Sequence, residues 1–232
     1  MAKQSGSLRN TLRPFKPILK PIYNFYWLYI RREPIPEDDD SSQTVIGQPE
    51  VKPFSSPDLD ILEAALGRGR IGGMHGHALF LLNLARETKA KLVVEIGFGD
   101  GDSSCAFLLG LREHGGKLIS IDIEDKPAAQ EKIEKLGFIE NWQFIKSASE
   151  NATGQLAGEP PIDILLIDGY HSYSQVKLEY ELYRPLMKDG GYILFHDSIN
   201  LKGVKKFIDF LERRNMRGIN FAFSNGLYVL QI

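Results

Sequence analysis

With one cysteine in 232 residues, the chain has no intramolecular disulfide framework and none of the paired Cys spacing of a zinc finger. Cys105 is read as a buried helix residue, compatible with a reducing cytoplasm. Net charge is nearly absent: 28 Lys and Arg against 30 Asp and Glu leave −2, which argues against a nucleic-acid partner. Long hydrophobic runs are lacking as well. The strongest candidate, Ile22–Ile30, has nine residues, whereas a bilayer needs roughly 20. It also lacks the aliphatic run and small-residue cleavage site of a secretory signal. No internal repeat is present. What remains, 43% hydrophobic and 25% charged residues, is the composition of a folded globular protein, which excludes a wholly disordered or collagen-like chain.

The small net charge hides an asymmetry at the front. Residues 1–32 hold Lys3, Arg9, Arg13, Lys16, Lys20, Arg31 and Arg32 and no acid, while residues 33–40 hold Glu33, Glu37, Asp38, Asp39 and Asp40 and no base. Prolines 14, 17 and 21 interrupt any long helix before Tyr23. Two readings of this basic aromatic segment stand side by side. It packs on the domain or on a second subunit of a homo-oligomer, or residues 9–32 lie on an anionic membrane surface. Prolines 34, 36, 49, 53 and 57, interleaved with polar residues, mark a linker. The expected division is an arm and linker over 1–57 and one domain over 58–232.

Within that domain, apolar runs alternate with helical spacing. Leu92–Ile96, Leu118–Asp122, Trp142–Lys146, Ile162–Asp168 and Gly191–His196 read as strands, because short apolar runs bounded by turn residues suit strands buried on both faces. Asp58–Leu66, His77–Thr88, Ser103–Arg112, Pro127–Leu136, Ser174–Leu186 and Val204–Arg214 read as helices, the third capped by Asp102 or Ser103. Asn225-Gly226, between apolar runs at 219–223 and 227–230, is a hairpin signal. These patterns predict an α/β fold: a doubly wound, mostly parallel seven-stranded sheet with an antiparallel terminal hairpin strand and helices on both faces. Ligands of such sheets bind beyond the carboxyl ends of the strands, so Glu95–Gly101, Asp122, Asp168–His171 and His196–Asp197 are where chemistry is expected.

The glycine loop narrows the ligand. Glu95-Ile-Gly97-Phe-Gly99-Asp-Gly101 lacks the third glycine of a dinucleotide fingerprint, since Asp102 or Ser104 stands there. A carboxylate at Asp102 would also face a pyrophosphate at the helix N-terminus. No Gly-Lys-Ser/Thr follows, which excludes a P-loop. The pattern E-x-G-x-G-x-G resembles the loop of class I S-adenosylmethionine (SAM) methyltransferases. Three glycines let the backbone approach a phosphate-free ligand, Glu95 is expected to act on its cationic amino end through water, and Asp122 can accept both ribose hydroxyls.

Further along stand Ile167-Asp168-Gly169-Tyr170-His171-Ser172-Tyr173, then a helix, then Gly190-Gly191-x-x-x-x-x-Asp197. Over about residues 60–232 the chain is similar to the metal-dependent SAM O-methyltransferases of the macrocin and mycinamicin sugar methyltransferase group. The resemblance implies Asp168 and Asp197 as ligands of a divalent metal, Mg²⁺ or Mn²⁺, and His171 as the catalytic base. It also implies Ser147 or Ala148 at the adenine, and Met74, His75 and His77 near the mouth. Such relatives often carry an acid where this chain has His196. Imidazole suits Mn, Fe or Zn better than Mg²⁺. Neighbouring strand residues point to opposite faces, so His196 joins Asp197 only if the strand has ended; otherwise it contacts substrate or caps the strand. His75-Gly76-His77 has a loose spacing for metal and is expected at the surface.

The leading expectation is a cytoplasmic SAM-dependent O-methyltransferase acting on a hydroxyl of a sugar or other small molecule with help from a divalent metal. A metal-independent SAM methyltransferase, on nitrogen or oxygen, is one rival. A non-catalytic SAM-fold protein that docks through its basic arm is the other.

Overall fold

The computed structural model describes residues 57–66 and 73–232. The basic arm, almost all of the linker and residues 67–72 lie outside the described residues, and with them both readings of residues 9–32.

Helix α1 (Pro57–Leu66) is followed by a 3₁₀ turn (Gly73–His77) that runs into α2 (Ala78–Glu87). Then come β1 (Leu92–Ile96), α3 (Asp102–Leu111), β2 (Lys117–Asp122), α4 (Pro127–Lys135), β3 (Trp142–Lys146), the short α5 (Ser149–Ala152) and β4 (Ile162–Ile167). The chain continues through α6 (Tyr173–Tyr183), β5 (Met187–His196), α7 (Lys202–Glu212), β6 (Ile219–Phe221) and β7 (Leu227–Gln231). The seven strands form one sheet in the order β3-β2-β1-β4-β5-β7-β6. β1 pairs in parallel with both β2 and β4, and β7 runs antiparallel to β5 and β6.

Every residue of β1 and β4 is buried, because helices cover both faces of the sheet. Alternation along the strands feeds two cores. Val93, Ile164, Leu166 and Leu194 pack with α1, α2, α3 and α4, whereas Val94, Leu165, Ile167 and Phe195 pack with α6 and α7. This is the doubly wound, mostly parallel seven-stranded α/β sheet with an antiparallel terminal strand that the strand pattern predicts.

Three local expectations are corrected. Helix α3 is capped by Gly101, with φ +76° and no side-chain capping bond, instead of by Asp102 or Ser103. Asp102 opens the helix and pairs with Lys132 at 2.9 Å. β5 starts at Met187, four residues earlier than expected, where Met187 pairs with Ile162 and the register then shifts before Tyr192. The terminal hairpin closes through a five-residue connection, 222–226, because Ser224, Asn225 and Gly226 all take positive φ. Among the described residues no helix is long and apolar enough to cross a membrane.

Candidate functional site at the carboxyl ends of the strands

β1 reverses direction at Gly97, whose φ is +93°. A Cβ there would lie 2.2 Å from the Asp168 carbonyl oxygen, so the loop after β1 and the end of β4 touch through backbone alone. The loop is fastened from the other side by Asp122, at the end of β2. One carboxylate oxygen of Asp122 accepts from the Phe98 N–H at 2.9 Å and the Gly99 N–H at 3.3 Å; the other accepts from the Glu124 N–H at 3.0 Å. Asp122 therefore shapes the glycine loop as well as facing the space above it.

That space is a cavity of about 480 Å³, within the usual range of small-molecule sites. Of the expected residues, Gly97, Gly99, Asp122, Ser147, Ala148 and Asp168 line it. Gly101 and Glu95 do not. Gly101 serves as the α3 cap. Glu95 is 0% exposed and lies on the face toward α3, where it accepts from the hydroxyls of Ser103, Ser104 and Ser120. Burial pushes its pKa up to about 7 against the pull of those hydrogen bonds.

Sequence reasoning missed one wall of the cavity. Glu179 on α6 is buried; its Oε1 accepts from Ser149 Oγ at 2.8 Å and Gln175 Nε2 at 3.2 Å. Burial again raises the pKa. Its only signal is an acid at helical spacing between Val176 and Tyr183, the other two buried residues of α6.

Beside the cavity, β4 and β5 deliver Asp168, His171, His196 and Asp197 to one point. His171 Nε2 stands 3.2 Å from Asp168 Oδ1 and 3.2 Å from Asp197 Oδ2. His196 Nδ1 stands 2.9 Å from Asp168 Oδ1 and 3.4 Å from Asp197 Oδ2. The backbone explains how adjacent residues share one site. β5 ends at His196, and Asp197 takes φ +57°, a left-handed conformation that turns its carboxylate back beside the imidazole. Such a conformation in a residue with a Cβ costs of order 1–2 kcal/mol. Burial disfavours charge on Asp168, but hydrogen bonds from His171 and His196 outweigh it and hold its pKa below the usual range. Burial likewise pulls His196 down, and the bonding and charge of Asp168 and Asp197 prevail to raise it.

The four side chains each offer one ligand atom, all within 4.8 Å of one another. Two carboxylate oxygens and two imidazole nitrogens fit a divalent cation, and the nitrogen share suits a first-row transition ion better than Mg²⁺.

His77 overturns the expectation of a surface residue. It is 0% exposed, at the start of α2, with its ring 5.6 Å from that of His196 and 4.7 Å from that of Phe223. Burial lowers its pKa to about 4.

A methyltransferase domain family matches residues 94–198, from inside β1 to just past Asp197. A protein of Mycobacterium sp. (strain JLS) with a provisional O-methyltransferase name is 34% identical over 137 residues, covering 56% of this chain and 58% of that protein. The rhamnosyl O-methyltransferase of Mycobacterium leprae (strain TN) is 34% identical over 124 residues, covering 50% and 52%. The chain thus spans little more than half the length of these curated relatives. Among solved structures, the O-methyltransferase TomG of Streptomyces achromogenes, in complex with SAM, has a TM-score of 0.60 at 16% identity, covering 77% of this chain and 91% of that one. The O-methyltransferase of Bacillus cereus, in complex with SAH, gives 0.58 at 16% identity, covering 75% and 89%. The chain carries the Rossmann-like methyltransferase fold, and its residues 94–198, which hold the glycine loop and Asp168, His171, His196 and Asp197, match the methyltransferase domain family.

Proposed function

We propose that this chain is a SAM-dependent O-methyltransferase that methylates a hydroxyl of a sugar or other small molecule, assisted by a divalent ion at Asp168, Asp197 and His196. The observation that carries this reading is the junction at Asp168, which belongs both to the wall of the cavity and to the strand-end quartet. A ligand lodged over Gly97, Gly99 and Asp122 would therefore lie next to a group able to move a proton. The names of the mycobacterial relatives support oxygen as the acceptor atom, and the rhamnosyl name supports a sugar.

The division of labour follows from the side chains. Gly97 and Gly99 allow the backbone to approach the ligand, and Asp122 offers its remaining lone pairs to ribose hydroxyls. Ser147 and Ala148 lie where a base would sit, and Glu95 sets the charge beneath the loop. Asp168 and Asp197 hold His171 Nε2 between them, which orients the ring as His171 takes the acceptor proton. A divalent ion, when bound, supplies Lewis acidity that lowers the pKa of the acceptor hydroxyl. The rest of the task is alignment of that oxygen with the sulfonium methyl, a proximity effect.

Chelation with EDTA and dialysis should abolish methyl transfer, and Mn²⁺ or Mg²⁺ should restore it. Asp197→Asn should weaken Mn²⁺ binding while leaving SAH affinity unchanged. His171→Ala should lower kcat by on the order of 10²–10⁴, the span of a lost general base. Full activity in EDTA would favour the metal-free rival, and binding of NAD in preference to SAM would sink the cofactor assignment.

A further inference from the structure

Among the described residues, one pair of packed imidazoles leaves a buried nitrogen unpartnered on each ring. His196 turns Nδ1 toward Asp168 and Asp197, and its Nε2 has no hydrogen-bond partner although the residue is only 4% exposed. His77, the ring packed edge-on against it at 82°, has an unpartnered Nδ1. Buried polar atoms are rarely left this way, so the pair calls for an explanation.

The tautomers supply one. His77 Nε2 lies 3.1 Å from the Ser224 carbonyl oxygen, which can only accept, so Nε2 carries the proton and Nδ1 keeps a lone pair. A His196 that gives its Nδ1 lone pair to a cation carries its proton on Nε2 and needs an acceptor there. A ligating histidine nearly always finds one. The other unpartnered nitrogen of this ring pair is His77 Nδ1, and ring centroids 5.6 Å apart leave room for one water to bridge the two.

We propose that His77 is a positioning residue for the strand-end site: through one bridging water its Nδ1 accepts from the Nε2–H of His196 and fixes that ring with Nδ1 directed at Asp168 and Asp197. The supports of His77 come from the far end of the chain. Phe223 packs on its ring and Ser224 anchors its Nε2, both from the β6–β7 connection. The connection also holds the loop after Asp197, through the Ile199 N–H to Asn225 oxygen bond at 3.1 Å and the Asn200 to Asn225 side-chain bond at 2.6 Å. The hairpin thus fixes both His77 and the segment after the ligands.

This inference rests on the metal part of the proposed function, and the experiment separates the two. Mn²⁺ titration of the full chain, followed by the electron paramagnetic resonance of the free ion, reads affinity without turnover. His77→Phe should weaken Mn²⁺ binding by 10–100-fold, the usual effect of losing an outer partner. His77→Asn, whose Oδ1 can stand in for Nδ1, should recover most of it, a rescue that a purely structural role would not give. Nitrogen-15 spectra of the imidazoles should show His77 protonated at Nε2 and His196 at Nε2 in Zn²⁺-loaded protein. Unchanged Mn²⁺ affinity in His77→Phe, or a His77 proton on Nδ1, overturns the proposal. A parent protein that binds SAH but neither Mn²⁺ nor Zn²⁺ overturns the metal reading and this inference together.

Discussion

Glu95 shows how much a single carboxyl group can be asked to bear. Fully enclosed, it is tolerated because Ser103, Ser104 and Ser120 each present a hydroxyl, two from α3 and one from β2. Its pKa, near 4.5 in the unfolded chain and about 7 in the fold, makes it a pH-dependent element of stability. A raised pKa means that the folded state binds more protons between these values. The contribution is therefore complete below pH 4.5 and is lost as the pH rises through 7, to an extent of about 3 kcal/mol. Glu95→Gln should remove that slope. The clean observable is the difference in unfolding free energy between parent and variant from pH 4.5 to 7.5. His77 tilts the absolute curve the other way over an overlapping window, because its lowered pKa costs stability as the pH falls from 6.5 toward 4. An unchanged difference across the window would mean that Glu95 is ionised throughout.

The β6–β7 hairpin is the element whose shape decides the site. Its turn must pass close under the loop that follows β5. At Gly226, with φ +90°, a Cβ would lie 2.4 Å from Ser198 Oγ and 2.8 Å from the Ile199 nitrogen. Gly226→Ala meets both backbone strain and a clash, and should lower stability by about 1–3 kcal/mol, read from the urea midpoint at unchanged slope. Gly154→Ala is the comparison: it has no positive φ and no neighbour within 4 Å of the added Cβ, and should be neutral or stabilising by up to about 1 kcal/mol. At the other end of the sheet, Asp163 ties β4 to β1 by accepting from the Lys91 N–H at 2.7 Å and the Leu92 N–H at 3.1 Å, with Lys188 alongside at 2.8 Å. The strand alignment that brings Gly97 against Asp168 is thus pinned from the opposite edge.

For the whole molecule, strand order sets the location of the cavity. With β1 between β2 and β4, the chain leaves β1 toward one edge and returns to the other side, and a crevice opens above that switch point. A ligand that binds there and not to the unfolded chain stabilises the fold by mass action, about 2.7 kcal/mol at a hundredfold excess over Kd. For a domain of this size, SAH should therefore raise Tm by roughly 5–10 °C, while NAD should leave it unchanged. Asp122→Asn should shrink the SAH shift. A shift with NAD and none with SAH would assign the cavity to a different nucleotide.

Much of this was legible in the sequence by itself, for a local reason. Apolar runs such as Leu92–Ile96 and Ile162–Ile167 fix buried strands through their own side chains, and the alternation with helices fixes a parallel sheet. Gly97 and Gly99, Asp122, Asp168, His171 and Asp197 were legible because strand ends in such a sheet share one edge whatever their separation along the chain. The tertiary structure alone decided the rest. Glu95 looked like a group facing the ligand until three hydroxyls from two other elements enclosed it. His196 and Asp197 join one site only because the backbone turns left-handed at Asp197, a choice that depends on what packs around it and leaves no mark on the residue type. His77 lies 119 residues before His196, and its spacing to His75 suggested a surface; its burial comes from Phe223 and Ser224 closing over it from a distant hairpin. Periodicity records which face of an element is apolar, whereas the partner that meets a polar group is set by the packing of elements far apart in sequence.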